Sequence, residues 1–427
     1  MATSDFARLP GFRDFPPEDF ALRSHIQESW RRVSQRYGFL EYDGPPLEPL
    51  GLYVEKSGQE IVGQLYNFTD KGDRDVVMRP EMTPSLARIL SDRSRGMSKP
   101  IRWFTMPQLF RYERQQRGRL REHFQWNVDI VGESGIAADA EVLAIAIDGL
   151  RDLGLTAADF AARVSDRRLL SALLRVVGVS EERLPIAFIV IDKIERMPEE
   201  KAVATLRSEV GLDPEQISTL LGLLGSTGLD ALDEGFGGHA DVAPELERLR
   251  EYVETLTAMG LGDYVQVDLR IVRGLAYYTG IVFELFDRQR ELRAICGGGR
   301  YDRLLELVGG EPLPAVGFGM GDVVLGELLA ARGLVPEYRP DLEFFLVPVT
   351  LGQQSEALRI AHVLRDRGHT VAYSLREQGV GKQMKAATRL GARVVLLVGP
   401  EELQRACVVA RDMSTGEERD VPLTELQ

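Results

Sequence analysis

Cysteine is nearly missing from this chain: Cys296 and Cys407 are the only two among 427 residues. Two cysteines cannot build a disulfide framework or a Cys-rich zinc site, and such sparse usage suits a reducing compartment, so a cytoplasmic location is expected. Long apolar runs are missing too. No stretch approaches the roughly eighteen apolar residues of a membrane span, and Met1 to Phe20 lacks a basic-then-apolar leader pattern, so no membrane association and no secretion are expected. Positive charge is in deficit. Fifty-two Lys and Arg against 65 Asp and Glu leave a formal charge of -13, which excludes bulk attraction to nucleic acid and leaves only local basic surfaces to bind phosphates. The five histidines (His25, His123, His239, His362, His369) have no metal-binding spacing, so no protein-ligated zinc is expected. Neither a Walker loop nor a nucleophile elbow occurs. What is present, 44% hydrophobic and 27% charged residues with 42 glycines, is the composition of a folded protein. Its length exceeds the roughly 250 to 300 residues at which single cores stop growing, so two or three domains are expected.

Apolar spacing predicts an opening helix over Pro17–Tyr37, with Phe20, Ile26, Trp30 and Val33 at near-helical spacing and Gly38 as a stop. Short strand-like runs follow at Asp75–Met78, Ile101–Phe110, His123–Val131, Val265–Val272 and Ile281–Phe286, suggesting antiparallel pairing. The second and third form a long hairpin around an Arg-rich loop. Asp139–Leu153 reads as a helix, about 167–259 as an inserted helical unit, and Asp322–Arg332 as a last core helix. We therefore expect a core at 1–332, a linker at 333–340 and a separate unit at 341–427. In that tail, apolar runs at Glu343–Val349, Thr370–Ser374 and Val394–Val398 alternate with helical stretches, as in βαβ units. A hairpin of Ala406–Arg411 and Arg419–Leu423 closes the edge.

The segment Phe110–Arg121 places Arg111, Arg114, Arg117, Arg119 and Arg121 against the single Glu113, and guanidinium forks suit phosphate oxygens. Strand alternation puts His123, Gln125 and Asp129 on one face, a polar row that suggests a pocket floor. Arg79-Pro80-Glu81-Met82-Thr83 reads equally well as a helix start. Arg273-Gly274-Leu275-Ala276-Tyr277-Tyr278-Thr279-Gly280 joins a cation, two phenols and two glycines after a predicted strand. Cys296-Gly297-Gly298-Gly299-Arg300-Tyr301-Asp302 reads as a glycine-rich turn. Pro314–Asp322 looks like a dinucleotide loop until Asp322 falls where a third glycine is needed.

Taken together and in order, these segments resemble the histidyl-tRNA synthetases, class II aminoacyl-tRNA synthetases, over nearly the whole chain. Gly11-Phe12-Arg13-Asp14-Phe15-Pro16-Pro17 is similar to the family's N-terminal signature, and Tyr37-Gly38-Phe39 leading to Pro45 to motif 1. Phe110–Arg121 with Gln125 resembles motif 2, and Arg273–Gly280 and Gly298–Asp302 resemble the two histidine-specific motifs. The resemblance implies an α/β chain: an α+β catalytic core on an antiparallel sheet, then a three-layer α/β anticodon-binding domain. It implies a cytoplasmic homodimer that activates histidine with ATP and Mg²⁺ and passes it to the terminal ribose of tRNA(His).

By the same resemblance Arg273 and Arg111 are catalytic, and Arg111, Arg119 and Arg121 bind ATP. Glu81, Thr83, Gln125, Asp129, Tyr277, Tyr278 and Tyr301, together with Arg111 and Arg273, hold histidine. Arg114 and Gln116 meet the tRNA acceptor end, and Lys382, Lys385 and Arg389 lie on the basic face of the tail. Three positions depart from the pattern: Val324 replaces the motif 3 arginine expected at the ATP γ-phosphate, Ala276 stands where aspartate is frequent, and Asp129 where many bacterial relatives carry glutamate. The second family with this fold and pocket is the histidine-sensing regulatory subunit of ATP phosphoribosyltransferase, which does not aminoacylate. The tail and the retained arginines favour the ligase.

Overall fold

A proline at its first position, with Glu18 and Asp19 in its first turn, starts the helix Pro17–Arg36, which buries Ile26, Trp30 and Val33. In this computed structural model, residues 6–426 are described apart from 58, 114–115, 227, 274–276 and 339. Two compact units divide the chain at Pro336 and Glu337.

The strands in chain order are β1 (Leu40–Glu41), β2 (Leu47–Pro49), β3 (Tyr66–Thr69), β4 (Asp75–Met78), β5 (Ile101–Thr105), β6 (Gln108–Phe110), β7 (Glu122–Val131), β8 (Phe160–Asp166), β9 (Val265–Val267), β10 (Ile281–Asp287), β11 (Cys296–Arg300) and β12 (Ala315–Gly321) in the first unit. The second unit has β13 (Phe344–Pro348), β14 (Val371–Tyr373), β15 (Val394–Val398), β16 (Cys407–Asp412) and β17 (Glu418–Pro422). The main sheet runs β1-β5-β7-β12-β11-β10-β8-β9, with β6 also on β7, and its pairings are antiparallel except at its two ends. Strand β7 sets its polarity. Trp126, Val128 and Ile130 are buried against the helices, where Trp126 stacks on Trp30 at 5.8 Å and meets Phe318 edge-on at 5.0 Å. The alternate residues His123, Gln125, Asn127 and Asp129 face the other side.

Several expectations change. Cys296–Arg300, expected as a turn, is a fully buried central strand, and Pro314–Asp322, whose likeness to a dinucleotide loop fails at Asp322, contains its neighbour β12. Ile101–Phe110 breaks at Met106-Pro107, since proline has no N–H for the ladder; its carbonyl instead accepts from Gln125 N at 3.1 Å. Val265–Val272 stops at Val267 because the Asp268 carboxylate accepts from Arg270 N at 3.0 Å and turns the chain. Strand β4 belongs to a separate sheet, β2-β4-β3, and β8 had no expectation at all. Helices from Arg167–Val177 to Ala243–Ala258 fill the connection between β8 and β9.

The second unit has the order β14-β13-β15-β16-β17, parallel over its first three strands and antiparallel over the last two pairings. Alternate residues of β13 pack on opposite sides: Leu346 with Ile360 and Leu364 of the helix Gln354–Asp366, and Phe345 and Val347 with Ala387 of the helix Val380–Arg389. The result is a three-layer α/β unit.

Candidate active site

The polar face of β7 floors a cavity of about 620 Å³ whose walls come from the β6–β7 loop, Arg273, and the strands β11 and β12. Arg111, Arg119, Gln125 and Arg273 all line it, so residues far apart in sequence are brought together here.

Arg273 sits at φ 34, a backbone conformation uncommon outside glycine, and its carbonyl accepts from Arg167 Nη1 at 3.0 Å. Its Nε pairs with Glu284 Oε1 at 2.9 Å, while its buried Nη1 has no hydrogen-bond partner among the described residues. Burial opposes its charge, but Glu284 and the phenols of Tyr278 and Tyr277 outweigh that, so it remains a cation. A Cβ on Gly297 would overlap this guanidinium, and one on Gly319 would overlap the Gln125 amide. The glycines of β11 and β12 are therefore room for functional side chains within a sheet, which explains why they mimic a turn in the sequence.

Arg111 Nε donates to Pro80 O at 3.2 Å, and its Nη1 lies 3.7 Å from Glu113 Oε1. Glu113 also pairs with Arg119. Burial, then the cations of Arg293 and Arg111, lower the Arg119 pKa. Burial and the charge of Arg111 push His123 from 6.5 down to about 4, so its ring is neutral near pH 7.

A tyrosine cluster adjoins Arg273. The Tyr301 hydroxyl donates to Asp129 Oδ1, and both residues are buried. The rings of Tyr277 and Tyr278 are 4.4 Å apart, and Tyr301 lies 5.9 Å from Tyr277 and 6.5 Å from Tyr278. Burial and then the Glu81 carboxylate push the Tyr277 phenol up to about 12, with Tyr278, Arg273 and Asp129 also acting on it. Thus Glu81, Asp129, Arg273 and three phenols share one neighbourhood.

The remaining expected residues among those described do not line this cavity. Arg121 is not among the cavity-lining residues; its guanidinium lies 4.4 Å over the Tyr112 ring, and its Nε donates to Glu113 O at 3.3 Å. Thr83 starts the helix Thr83–Arg93 and makes no side-chain hydrogen bond among the described residues; that helix has Met82 at its N-cap without a side-chain cap bond. Gln116 is exposed at the loop tip, and Arg114 falls outside the described residues, as does Ala276. Lys382, Lys385 and Arg389 project from the exposed side of the helix Val380–Arg389, opposite the buried Gln383 and Ala387.

The sequence reading did not single out Arg196, Arg293 and Glu284. Glu284 carried a signal, being the lone carboxylate within an otherwise apolar stretch of β10, whereas Arg196 and Arg293 sit in charged segments like many others. The opening signature also has a structural role: Arg13 bridges Glu122 at 2.6 Å and Asp322 at 2.9 Å, and Gly11 O accepts from Arg121 N at 3.0 Å, so it ties the start of β7 to the end of β12.

Among the described residues, no three His, Cys, Asp or Glu side chains form a metal-holding group, and no helix is long and apolar enough to cross a membrane. The model of the histidyl-tRNA synthetase family matches residues 11–321, and that of the anticodon binding domain matches residues 343–427. A histidine–tRNA ligase of Opitutus terrae is 42% identical over 100% of this chain and 98% of its own length. The crystal structure of histidyl-tRNA synthetase from a Nostoc species superposes with a TM-score of 0.84, covering 99% of this chain and 98% of that one, at 24% identity. A Bacillus halodurans structure, described as an ATP phosphoribosyltransferase regulatory subunit/histidyl-tRNA synthetase, has a TM-score of 0.77 at 24% identity, covering 93% of this chain and 100% of that one. Those two structural likenesses are of fold.

Proposed function

This chain belongs to the histidyl-tRNA synthetase family and has its histidine–tRNA ligase activity, and from that premise we propose how its residues divide the work. The single observation that carries the assignment is the shared cavity: Arg111, Arg119 and Arg273 line it, and Arg273 continues into the Asp129–tyrosine cluster. Full-length identity to a ligase and the anticodon-binding match over the tail favour this reading over the regulatory one.

In the first step the histidine carboxylate attacks the α-phosphorus of ATP, forming the carboxyl–phosphate anhydride and expelling pyrophosphate. Catalysis then consists of alignment and of spreading the growing negative charge. Arg273 donates to the α-phosphate and Arg111 bridges it to the carboxylate, a reading supported by the buried Arg273 Nη1, which has no partner among the described residues, and by both side chains lining the cavity. Arg119 meets the outer phosphates; Arg121, bound over Tyr112, serves the loop that carries Arg119. Mg²⁺ enters with ATP, and Glu113 is the carboxylate in the cavity wall, its Oε1 buried without a hydrogen-bond partner among the described residues.

Glu81, Thr83 and Gln125 hold the α-amino end of histidine. Asp129 and Tyr278 pair the imidazole nitrogens, Tyr277 walls the pocket and Tyr301 closes it by fixing Asp129. Paired polar groups of this kind reject near-isosteres, because an analogue lacking the ring nitrogens leaves them buried and unmatched. In the second step the terminal ribose hydroxyl of tRNA(His) attacks the acyl carbon and AMP leaves. Arg114 and Gln116 meet the acceptor end, while Lys382, Lys385 and Arg389 meet anticodon-stem phosphates.

We further propose a cytoplasmic homodimer joined along the β1 edge, where Leu40 is 67% exposed on a two-residue strand. Exchange of labelled pyrophosphate into ATP, run with each of the twenty amino acids, tests the function. Exchange with histidine alone is expected; histidine binding without exchange contradicts it.

A further inference from the structure

The motif 3 position that the family uses to place a cation on the outermost phosphate is occupied by Val324, which lines the cavity and is 8% exposed. A valine offers neither charge nor a donor there. We propose that Arg293, in the connection between β10 and β11, supplies the missing cation to the terminal phosphate of ATP. This rests on the ligase reading above and concerns a residue outside every motif of the resemblance.

The placement is specific. A point one Cβ bond from Gly118 lies 3.1 Å from Val324 Cγ2 and 3.7 Å from Arg293 Cδ, so the Arg293 stem and the valine methyl flank the same point at the cavity wall. Arg293 is exposed, lines the cavity, and has no hydrogen-bond or ion-pair partner among the described residues. Arg119 feels the cations of Arg293 and Arg111, and Glu113, already paired with Arg119, is the only carboxylate lining the cavity among the described residues. Guanidinium groups gathered with so little counter-charge repel one another, and a triphosphate relieves that repulsion.

The other cations near the end of motif 3 are committed elsewhere. Arg300 is buried and bound to the buried Asp139 at 2.6 Å. The Arg303 side chain is 78% exposed beside Glu306, and Arg117 pairs with Glu327 at 3.4 Å. Arg196 lines the cavity too, but it acts on Glu284, the partner of Arg273, which places it at the α-phosphate end. Asp322, two residues before Val324, is held by Arg13. Arg293 is left as the cation beside Val324.

The test compares the parent with Arg293→Ala and Arg293→Lys in histidine-dependent pyrophosphate exchange, with AMP as a competitive inhibitor. Arg293→Ala is expected to lower kcat/KM for ATP by about 30- to 100-fold, the loss that follows removal of one charged contact to phosphate. Arg293→Lys should recover part of it, while KM for histidine and inhibition by AMP, which lacks the outer phosphates, stay within about twofold. A kcat/KM for ATP within about threefold of the parent in Arg293→Ala overturns the proposal, as does an equal loss of AMP inhibition. An inactive parent would instead overturn the ligase reading, so the two failures are distinct.

Discussion

His123 shows at a single residue how the cavity floor is tuned. Burial, helped by the charge of Arg111, lowers its pKa from 6.5 to about 4. Between those values the unfolded chain binds more protons on this side chain than the folded one, so its titration makes stability rise with pH across that window and has no effect above it. His123→Gln is expected to lose less stability than the parent as pH falls from 6.5 towards 4, measured as urea midpoints; superimposable pH profiles would contradict this. That His123 shares a face with Gln125 and Asp129 is legible in the sequence, because alternation in a strand follows from backbone geometry alone. The roles of Arg293 and Arg300 are not, since an arginine that lines a cavity and one locked to a buried aspartate look alike until tertiary contacts separate them.

At the scale of elements, hydrophobic periodicity locates the opening helix, β7, β10 and the alternating tail, and it fails at β11 and β12. Turn chemistry and a glycine-lined cavity wall use the same residue, and only long-range pairing tells them apart. Gly297 makes the point testable. A methyl group there would overlap the Arg273 guanidinium, the mobile end of a long side chain, so the strand should survive while the cation is displaced. Gly297→Ala is expected to cut histidine-dependent exchange about 100-fold, as misplacement of a catalytic group does, with Tm changed by less than about 5 °C. Full activity in Gly297→Ala would show that Arg273 need not lie against β11. Val265–Val272 illustrates a different loss of legibility: the apolar pattern continues, but the Asp268 turn ends pairing after Val267.

At the scale of the molecule, the proposed function has a chain with a net charge of -13 handle two polyanions through cations concentrated locally. One set lines the cavity of the first unit; the other, Lys382, Lys385 and Arg389, lies on one helix face of the second. Changing those three residues to alanine is expected to weaken tRNA binding and to reduce its salt dependence by about two to three logarithmic units of slope, while exchange of pyrophosphate into ATP is unaltered. An unchanged slope would remove that face from the tRNA site. The division at Pro336 and Glu337 falls where two prolines separate a core with inserted helices from a strand–helix alternation. The central claim, that distant guanidinium groups converge on a triphosphate beside the histidine pocket, is tested most directly by Arg273→Ala, measuring histidine binding by calorimetry alongside histidine-dependent exchange. The account predicts histidine affinity within a few-fold of the parent and exchange reduced about 100- to 1000-fold; exchange at the parental rate would contradict it.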